Sequence, residues 1–444
     1  VALLCAPSGK LSNPAPSKSL HHQIFHHSTA KSTHHKSTNY GIMKIGIIRE
    51  GKTPPDRRVP LTPRQCTLLR RLHPDIEIYV QPSPIRCYTD EEYAAEGLPL
   101  TEDLSHCDVL LGIKEVPIAN LIANKTYFFF SHTIKKQAYN RPLLQALLQK
   151  NITMVDYETL TDEKGNRLIA FGHYAGLVGA YNGILAYGEK YNLFHLKPAH
   201  QCFDRHELIF GLHKLALPPI KIALTGSGRV AKGAMEMLDE MKIERVDVME
   251  YLNQKQFSMP VYTQLSSSAY HVHKKGRKFI AEEFYSFPEH FESHFEPFYR
   301  NTDLLIAAAY WHPKAPKLFT AEEMKRDDFR IRVIADITCD IDGSIPSTKR
   351  PSKIGDPVYD YNRFTEQLEP PYSNPDNVSV MAIDNLPSEL PRDASEEFGG
   401  IFIERILAHL LKDDEGVIAR ATITQGGRLT QRYAYLQAFA EGKE

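Results

Sequence analysis

Pro219-Ile220-Lys221-Ile222-Ala223-Leu224-Thr225-Gly226-Ser227-Gly228-Arg229-Val230-Ala231-Lys232-Gly233-Ala234 is the stretch that decides the fold. Its apolar run, Ile220 to Leu224, has the length of a buried parallel strand and leads straight into a glycine turn. From Arg229 onward the spacing is helical, with Val230, Ala234, Met237 and Leu238 on one face. Gly226, Gly228 and Ala231 take the small-residue positions of G-x-G-x-x-G/A. Missing side chains there let a pyrophosphate reach free backbone N–H groups at a helix N-terminus. A second strand, Arg245 to Met249, is expected next and ends at Glu250, where an acid would meet a ribose 2′-hydroxyl. An ordinary βα turn is the bland alternative. The strand before, the helix after and the acid at the second strand end favour a dinucleotide site.

Composition narrows the class. At 444 residues the chain is long enough for two domains or more. A net charge of -1 gives no reason to expect nucleic acid or an anionic membrane as partner. Cys5, Cys66, Cys87, Cys107, Cys202 and Cys339 form no C-x-x-C pair, which argues against a zinc ribbon or disulfide framework and suits a reducing cytoplasm. No apolar run has the length of a membrane span.

Residues 1–42 contain no Asp or Glu, are rich in Ser and carry three His-His pairs, so they read as a disordered or non-native extension. Strands are expected over Lys44 to Ile48, Asp75 to Val80, Val109 to Ile113, Thr126 to Phe130 and Thr153 to Tyr157. Helices over Thr62 to Leu72 and Gln137 to Lys150 alternate with them, which implies a parallel sheet. In such sheets ligands bind beyond the carboxyl ends of the strands, where Lys114, Glu115, His132 and Glu158 fall. A long helix opened by Phe171-Gly172-His173-Tyr174-Ala175-Gly176 and running through Tyr191 carries Gly176, Gly179 and Gly183 on adjacent turns, as close packing against another element requires. The nucleotide fold continues through strands Asp303 to Tyr310 and Ile331 to Ile337, with residues 252–300 as a polar, aromatic-rich insertion of unassigned role. Met381 to Pro387 returns the chain to the first domain, and a helix from Ser395 to Leu411 and a helical tail over Thr430 to Phe439 follow. The fold expected is therefore α/β, with two Rossmann-like domains, parallel sheets and an active-site cleft between them. Residues 43–171 plus 385–444 form the substrate domain and residues 172–384 the dinucleotide-binding domain.

Arg58 fits a bidentate clamp on a substrate carboxylate and equally a solvated loop. Lys114 beside Glu115 fits a general base tuned by burial, or a surface ion pair. His132, after Phe128-Phe129-Phe130, fits either a proton carrier or a satisfied core histidine. His290 and His294 are four apart, but Glu292 follows the wrong residue for H-E-x-x-H, so no metal is expected there or at Asp336, Asp340 and Asp342.

Several stretches together resemble one family. Asp56-Arg57-Arg58-Val59-Pro60-Leu61-Thr62-Pro63, Gly112-Ile113-Lys114-Glu115, Ser131-His132 and Ala170-Phe171-Gly172-His173-Tyr174-Ala175-Gly176 resemble the lysine-forming saccharopine dehydrogenases. Those belong with alanine dehydrogenase and the transhydrogenase alpha subunit. Lys125 to Lys135, Ile383-Asp384-Asn385-Leu386-Pro387 and the Thr225 to Ala234 turn look closest to the lysine–2-oxoglutarate reductase half of aminoadipic semialdehyde synthase.

The resemblance implies reversible, nicotinamide-dependent condensation of lysine and 2-oxoglutarate to saccharopine, with NAD or NADP as cofactor. It implies Lys114 and His132 as the catalytic pair, with Glu115 and Glu158 as carboxylates near them. Arg58, Gln137, Arg167, Phe171, Thr338, Cys339 and Asp340 match positions lining the substrate. Gly226, Ser227, Gly228, Arg229, Val230, Tyr310, Ile337, Ile383, Asp384, Asn385 and Leu386 match the cofactor cleft, with Glu250 as the ribose acid. A carboxylate at Glu250 would favour NAD, whereas the reductase relatives mostly use NADP. The alternatives are alanine dehydrogenase, acting on pyruvate and ammonia, and a transhydrogenase-like nucleotide-binding subunit.

Overall fold

β1 (Met43–Ile47), β2 (Ile76–Val80), β3 (Val109–Leu111), β4 (Thr126–Phe129) and β5 (Thr153–Asp156) lie side by side in the order β5-β4-β3-β1-β2, all parallel. The computed structural model describes residues 42–212, 215–413 and 415–443. The extension expected at residues 1–42 lies outside the described residues, apart from Ile42. The helix Pro63–Leu72 starts where Thr62 accepts from the Gln65 N–H and Gln65 reaches back to the Thr62 N–H, with proline in the first turn.

The second sheet grows around β6 (Lys221–Thr225), every residue of which is buried, as a central parallel strand requires. It takes in β7 (Glu244–Arg245) and β8 (Val261–Leu265) on one side. After the separate hairpin of β9 (His271–His273) and β10 (Phe291–Ser293), it adds β11 (Leu304–Ala307), β12 (Val333–Asp336), β13 (Val358–Tyr361), β14 (Leu368–Glu369) and β15 (Val378–Met381). The order is β14-β13-β15-β12-β11-β6-β8-β7. The chain then returns, and β16 (Thr422–Gln425) and β17 (Arg428–Leu429) extend the first sheet beyond β5. Both sheets are mixed rather than purely parallel, because β13, β14, β16 and β17 pair antiparallel at their edges. Apolar clusters cover both faces of each sheet.

Two expectations in the nucleotide half are corrected. The strand expected over Arg245 to Met249 is only Glu244–Arg245, because Asp247 accepts from the N–H groups of Met249 and Glu250 and starts the helix Val248–Asn253. Glu250 is thus an exposed helical residue rather than the end of a strand. The stretch read as the start of an insertion supplies β8, which sits between β7 and β6. Its Val, Tyr, Thr and Leu side chains are buried there, a β-branched and aromatic composition that suits a covered strand. The strands β13 to β17 are not expected from the sequence either, and among the remaining expected elements the differences are at boundaries. The helix expected from Gln137 begins at Arg141, after a 3-10 turn, with Pro142 in its first turn. The helix expected from Ser395 begins at Pro391 and continues through a π turn, Phe402–Ile406, to Leu411.

The glycines of the helix Gly172–Lys190 do what their spacing implies. A Cβ on Gly176 would lie 1.7 Å from the Val230 carbonyl oxygen, and one on Gly233 would lie 1.9 Å from that of His173. This helix and the helix Arg229–Glu240 therefore touch backbone to backbone. Gly179 and Gly183 press against Ile337 and Ala335, which sets the same helix onto β12 and the loop that follows it. We expect Gly176→Ala to lower the unfolding free energy by about 1–3 kcal/mol, the scale of an overpacked core. Gly211, with open space around its Cβ direction, should tolerate alanine within about 0.5 kcal/mol. Denaturant unfolding of the two variants measures the difference.

Candidate active site

The order β5-β4-β3-β1 brings four consecutive strand ends into one row. β1 is followed by Glu50, β3 by Lys114 and Glu115, β4 by His132, and β5 by Glu158. Both Glu50 carboxyl oxygens accept backbone N–H groups, from Ile113 at 2.6 Å and Lys114 at 2.9 Å. That locks the loop after β3 onto the end of β1. Burial and the neighbouring Asp56 push the Glu50 carboxyl up to about 8, against those two hydrogen bonds.

His132 lies in a left-handed turn, φ +55°, a region few non-glycine residues enter, and its surroundings hold it there. The buried Asp156 carboxylate accepts from the backbone and hydroxyl of Ser131, whose hydroxyl in turn accepts from the Thr133 N–H. The imidazole Nδ1 lies 2.7 Å from Glu115 Oε1, and Lys52 Nζ lies 2.7 Å from the other oxygen. Burial raises the Glu115 carboxyl, but the hydrogen bonds from His132 and Lys52 outweigh it and hold it down at about 2. An ionised Glu115 fixes Nδ1 as the donor and leaves Nε2 to exchange a proton with a bound molecule.

Lys114 is half-buried, and its ammonium has no hydrogen-bond or ion-pair partner among the described residues. Burial first, and then the charge of Arg58, bring its pKa below the ordinary lysine value, while Asp56 and Glu115 oppose. Arg58 itself is buried. It grips Asp56 through Nε at 3.0 Å and Nη2 at 2.6 Å, reaches Asn385 Oδ1 at 3.0 Å, and lies 4.2 Å above the Phe171 ring. Phe171 stacks on Phe398.

The two sheets adjoin at these residues. Asn385, from the loop after β15, donates to Asp56 and accepts from Arg58. Arg229, at the glycine turn, donates to the Arg167 carbonyl, and Arg167 pairs with Glu158 at 3.0 Å. Thr338 donates to Asp336, and Cys339 to the Ala382 carbonyl. Burial and Asp336 raise the Asp340 carboxyl. Gln137 is exposed in the turn after His132. Asp384 and Tyr310 are exposed beside the second sheet, while Ile383 and Leu386 are buried.

The turn fits a pyrophosphate. Gly226 has φ +101°, and a Cβ there would lie 2.8 Å from the Ala308 carbonyl oxygen, so only glycine serves. Ser227, Gly228 and Arg229 are exposed at the N-terminus of the helix Arg229–Glu240, and Val230 is half-buried behind them. The strand beside β6 is β8, which ends at Leu265 and is followed by Ser266-Ser267-Ser268, so a serine run stands where Glu250 was expected. The local reason for preferring NAD goes with it.

His273, Glu283 and His290 also converge, away from this site, with ligand atoms within 4.8 Å of one another. The Arg277 guanidinium already lies 2.6 Å from His273 and 2.5 Å from Glu283, in the place a cation would take.

Comparison with known proteins agrees with the fold. A family profile described as "Alanine dehydrogenase/PNT, N-terminal domain" matches residues 46–178. An L-alanine dehydrogenase structure superimposes with a TM-score of 0.61 at 16% identity, over 90% of this chain and 100% of that one. The transhydrogenase of Sinorhizobium meliloti gives 0.55 at 14% identity, over 87% and 98%. The fold is thus that of the alanine dehydrogenase and transhydrogenase structures, and residues 46–178 match that N-terminal domain. By sequence the chain is 29% identical to the rat protein named alpha-aminoadipic semialdehyde synthase, mitochondrial, over 94% of this chain and 49% of that protein. It is 30% identical to alpha-aminoadipic semialdehyde synthase of Arabidopsis thaliana, over 91% and 42%. The chain thus spans about half the length of the first of these relatives. A saccharopine dehydrogenase (NAD(+), L-lysine-forming) of Emericella nidulans is 26% identical over 84% of this chain and 94% of that one.

Glu50, Lys52 and Asp56 escape the sequence reading, although Glu50 follows a strand end just as Lys114 does. His173 escapes it too. Its imidazole bridges Glu236 at 2.8 Å and Glu397 at 2.7 Å, and those two hydrogen bonds raise its pKa from 6.5 to about 9 against burial. A raised pKa stabilises the fold fully below pH 6.5 and ceases to do so as the pH climbs through about 9. We expect stability to fall on the order of 2–3 kcal/mol across that window. His173→Gln should flatten the fall, as read from unfolding curves taken at each pH.

Proposed function

We propose that this chain is a nicotinamide-dependent oxidoreductase acting on a carbon–nitrogen bond, and that its reaction is the reversible reductive condensation of L-lysine with 2-oxoglutarate to saccharopine. One observation carries the proposal: a depressed, unpartnered lysine and a carboxylate-tethered histidine stand on neighbouring strand ends, beside a buried arginine and next to a dinucleotide turn. Sequence similarity to the synthase and the saccharopine dehydrogenases supports the choice of substrates.

In the reductive direction the lysine ε-amine adds to the 2-oxoglutarate ketone, water leaves, and the imine takes up a hydride and a proton. The nicotinamide, NAD or NADP, supplies the hydride when bound. Lys114 takes and returns the amine proton, a task that needs the lowered pKa its burial and Arg58 provide. His132 Nε2 gives a proton to the departing hydroxyl, with Glu115 holding the ring in register. Arg58 presents its remaining nitrogen, Nη1, to a substrate carboxylate, and its planar guanidinium is kept in place by Asp56, Asn385 and the Phe171 ring. Arg167, Gln137 and the Thr338-Cys339-Asp340 loop complete the substrate walls, with Glu158 orienting Arg167. Tyr310, Ile337, Ile383, Asp384 and Leu386 line the nucleotide side. Two domains are assigned, residues 43–171 with 385–444 and residues 172–384, with chemistry at their junction. The substrates are small molecules, and no helix among the described residues is long and apolar enough to cross a membrane. We place the protein in the cytoplasm because Cys66, Cys87, Cys107, Cys202 and Cys339 are all free thiols, although some relatives carry a mitochondrial name.

Nicotinamide oxidation should proceed with lysine plus 2-oxoglutarate and not with pyruvate plus ammonia. Equal rates with pyruvate would move the protein to alanine dehydrogenase chemistry. Dinucleotide binding without turnover on either pair would make it a transhydrogenase-like subunit. Lys114→Met and His132→Gln should each lower kcat by roughly two to four orders of magnitude while dinucleotide binding persists, and each should remove one limb of the pH–rate profile. Wild-type turnover by a folded Lys114→Met protein would refute the assignment.

A further inference from the structure

A cavity of about 180 Å³, well above the roughly 15 Å³ that admits one water, lies against the second half of the helix Gly172–Lys190. It shares no lining residue with the site around Lys114 and His132 or with the glycine turn. Three separate segments bring polar groups to it. Asn182 comes from that helix, His200 from the 3-10 turn Ala199–Gln201, and Glu389 from the end of the 3-10 turn Leu386–Glu389. Leu185 of the same helix, with Ile354 and Pro357 from the loop before β13, gives it an apolar wall.

Glu389 is the unusual member. It is 2% exposed, yet among the described residues no lysine or arginine pairs with it. Acids so buried are rare unless a cation or several donors accompany them. Here Oε1 accepts a single bond, from Asn182 Nδ2 at 2.8 Å. Oε2 has no hydrogen-bond partner among the described residues: His200 Nδ1 lies 3.6 Å away, too far for a bond, and is itself buried without a partner. With its proton on Nε2, His200 offers Nδ1 as an acceptor. Two unpaired acceptors therefore stand side by side at the cavity. Leaving them so is costly, and a ligand donor placed between them gains more than it would in water.

We propose that this cavity binds the ammonium end of a linear aliphatic amine, with Glu389 Oε2 and His200 Nδ1 accepting two of its N–H groups and the alkyl chain lying along Leu185, Ile354 and Pro357. The chemistry selects the ligand. An ammonium group brings both the positive charge that Glu389 lacks and the donors that the two free acceptors need. A potassium ion would answer the charge but would leave the apolar wall unused. No lysine or arginine lines the cavity to receive a carboxylate, so it suits an amine rather than an amino acid. The inference stands apart from the lysine–2-oxoglutarate reading, since none of these residues belongs to that site.

Calorimetric titration of the full chain with n-butylamine at neutral pH should show saturable binding. Butan-1-ol keeps the chain and loses the charge, and should bind at least about tenfold more weakly. Glu389→Gln preserves the shape of the side chain and an oxygen for Asn182, and should weaken butylamine about 10- to 100-fold, the scale of a hydrogen bond to a charged group. His200→Ala should weaken it about three- to tenfold, the scale of a neutral one. That second variant changes a partly exposed side chain, so it carries the test if Glu389→Gln does not fold. It also separates the proposal from the plainer reading, in which a charged His200 closes on Glu389 and fills the need itself. Removing His200 would then free the carboxylate, and butylamine would bind more tightly. Binding that is unchanged or tightened in His200→Ala overturns the amine site. So does binding that is unaltered by Glu389→Gln, absent from the wild-type chain, or displaced by an equal concentration of potassium ions.

Discussion

The backbone contact between the helices Gly172–Lys190 and Arg229–Glu240 is the constraint on which the rest depends. Gly176 and Gly233 let each helix press on a carbonyl oxygen of the other, so neither can slide or rotate without a steric collision. The consequences run outward from both ends of the first helix. Its N-terminal neighbour Phe171 supports Arg58 and stacks on Phe398, on the side of the first sheet. Its later turns bear on Ile337 and Leu386. The second helix begins at the glycine turn, so its rigid placement fixes where a pyrophosphate would lie relative to Arg58 and Lys114.

Around that frame the electrostatics are arranged in opposite directions on neighbouring groups. Glu115 is kept ionised by the hydrogen bonds from His132 and Lys52, while Glu50, one strand away, is pushed toward its neutral form by burial and by Asp56. Lys114 lies between these carboxylates yet has its pKa lowered, because burial and Arg58 outweigh the nearby acids. Pulling neighbouring titratable groups apart in this way is how one site keeps a base and an acid available at the same pH. The Asp56–Arg58–Asn385 cluster has a second effect, since it joins the loop after β1 to the loop after β15. An arginine bound this way is already oriented, as the proposed clamp on a substrate carboxylate needs.

The nucleotide sheet departs from the simplest Rossmann order, and the departure has chemical consequences. Because β8 lies between β7 and β6, the polar groups next to the glycine turn are Gln264 and a run of serines instead of an acid. Gln264 donates to the Gly226 carbonyl and accepts from Arg245, which ties the turn to the edge of the sheet. The segment after β8 then folds back as the β9–β10 hairpin and short helices, packing aromatic rings against the strand ends.

Much of this was legible in the residues. The run Ile220 to Leu224 followed by Gly226 and Gly228 determined a buried strand, a turn and a helix, since an apolar run of that length and a glycine at positive φ leave few other conformations. The helix cap at Thr62 and the close-packed glycines at Gly176, Gly179 and Gly183 are local or periodic signals of the same kind. So is the placement of Lys114, His132 and Glu158 at strand ends. What the tertiary structure alone decided was which strands became neighbours. Glu250 sits just after an Asp that caps a helix, and although the composition of β8 suits a covered strand, nothing in its residues names β6 and β7 as its neighbours. The same holds for the coupling of Arg58 to Asn385, 327 positions apart, and for the unpaired nitrogen of His200. Backbone conformation responds to a few adjacent residues, whereas strand order, the burial of a charge and the pairing of a polar atom depend on groups far along the chain that come together only when the sheets close.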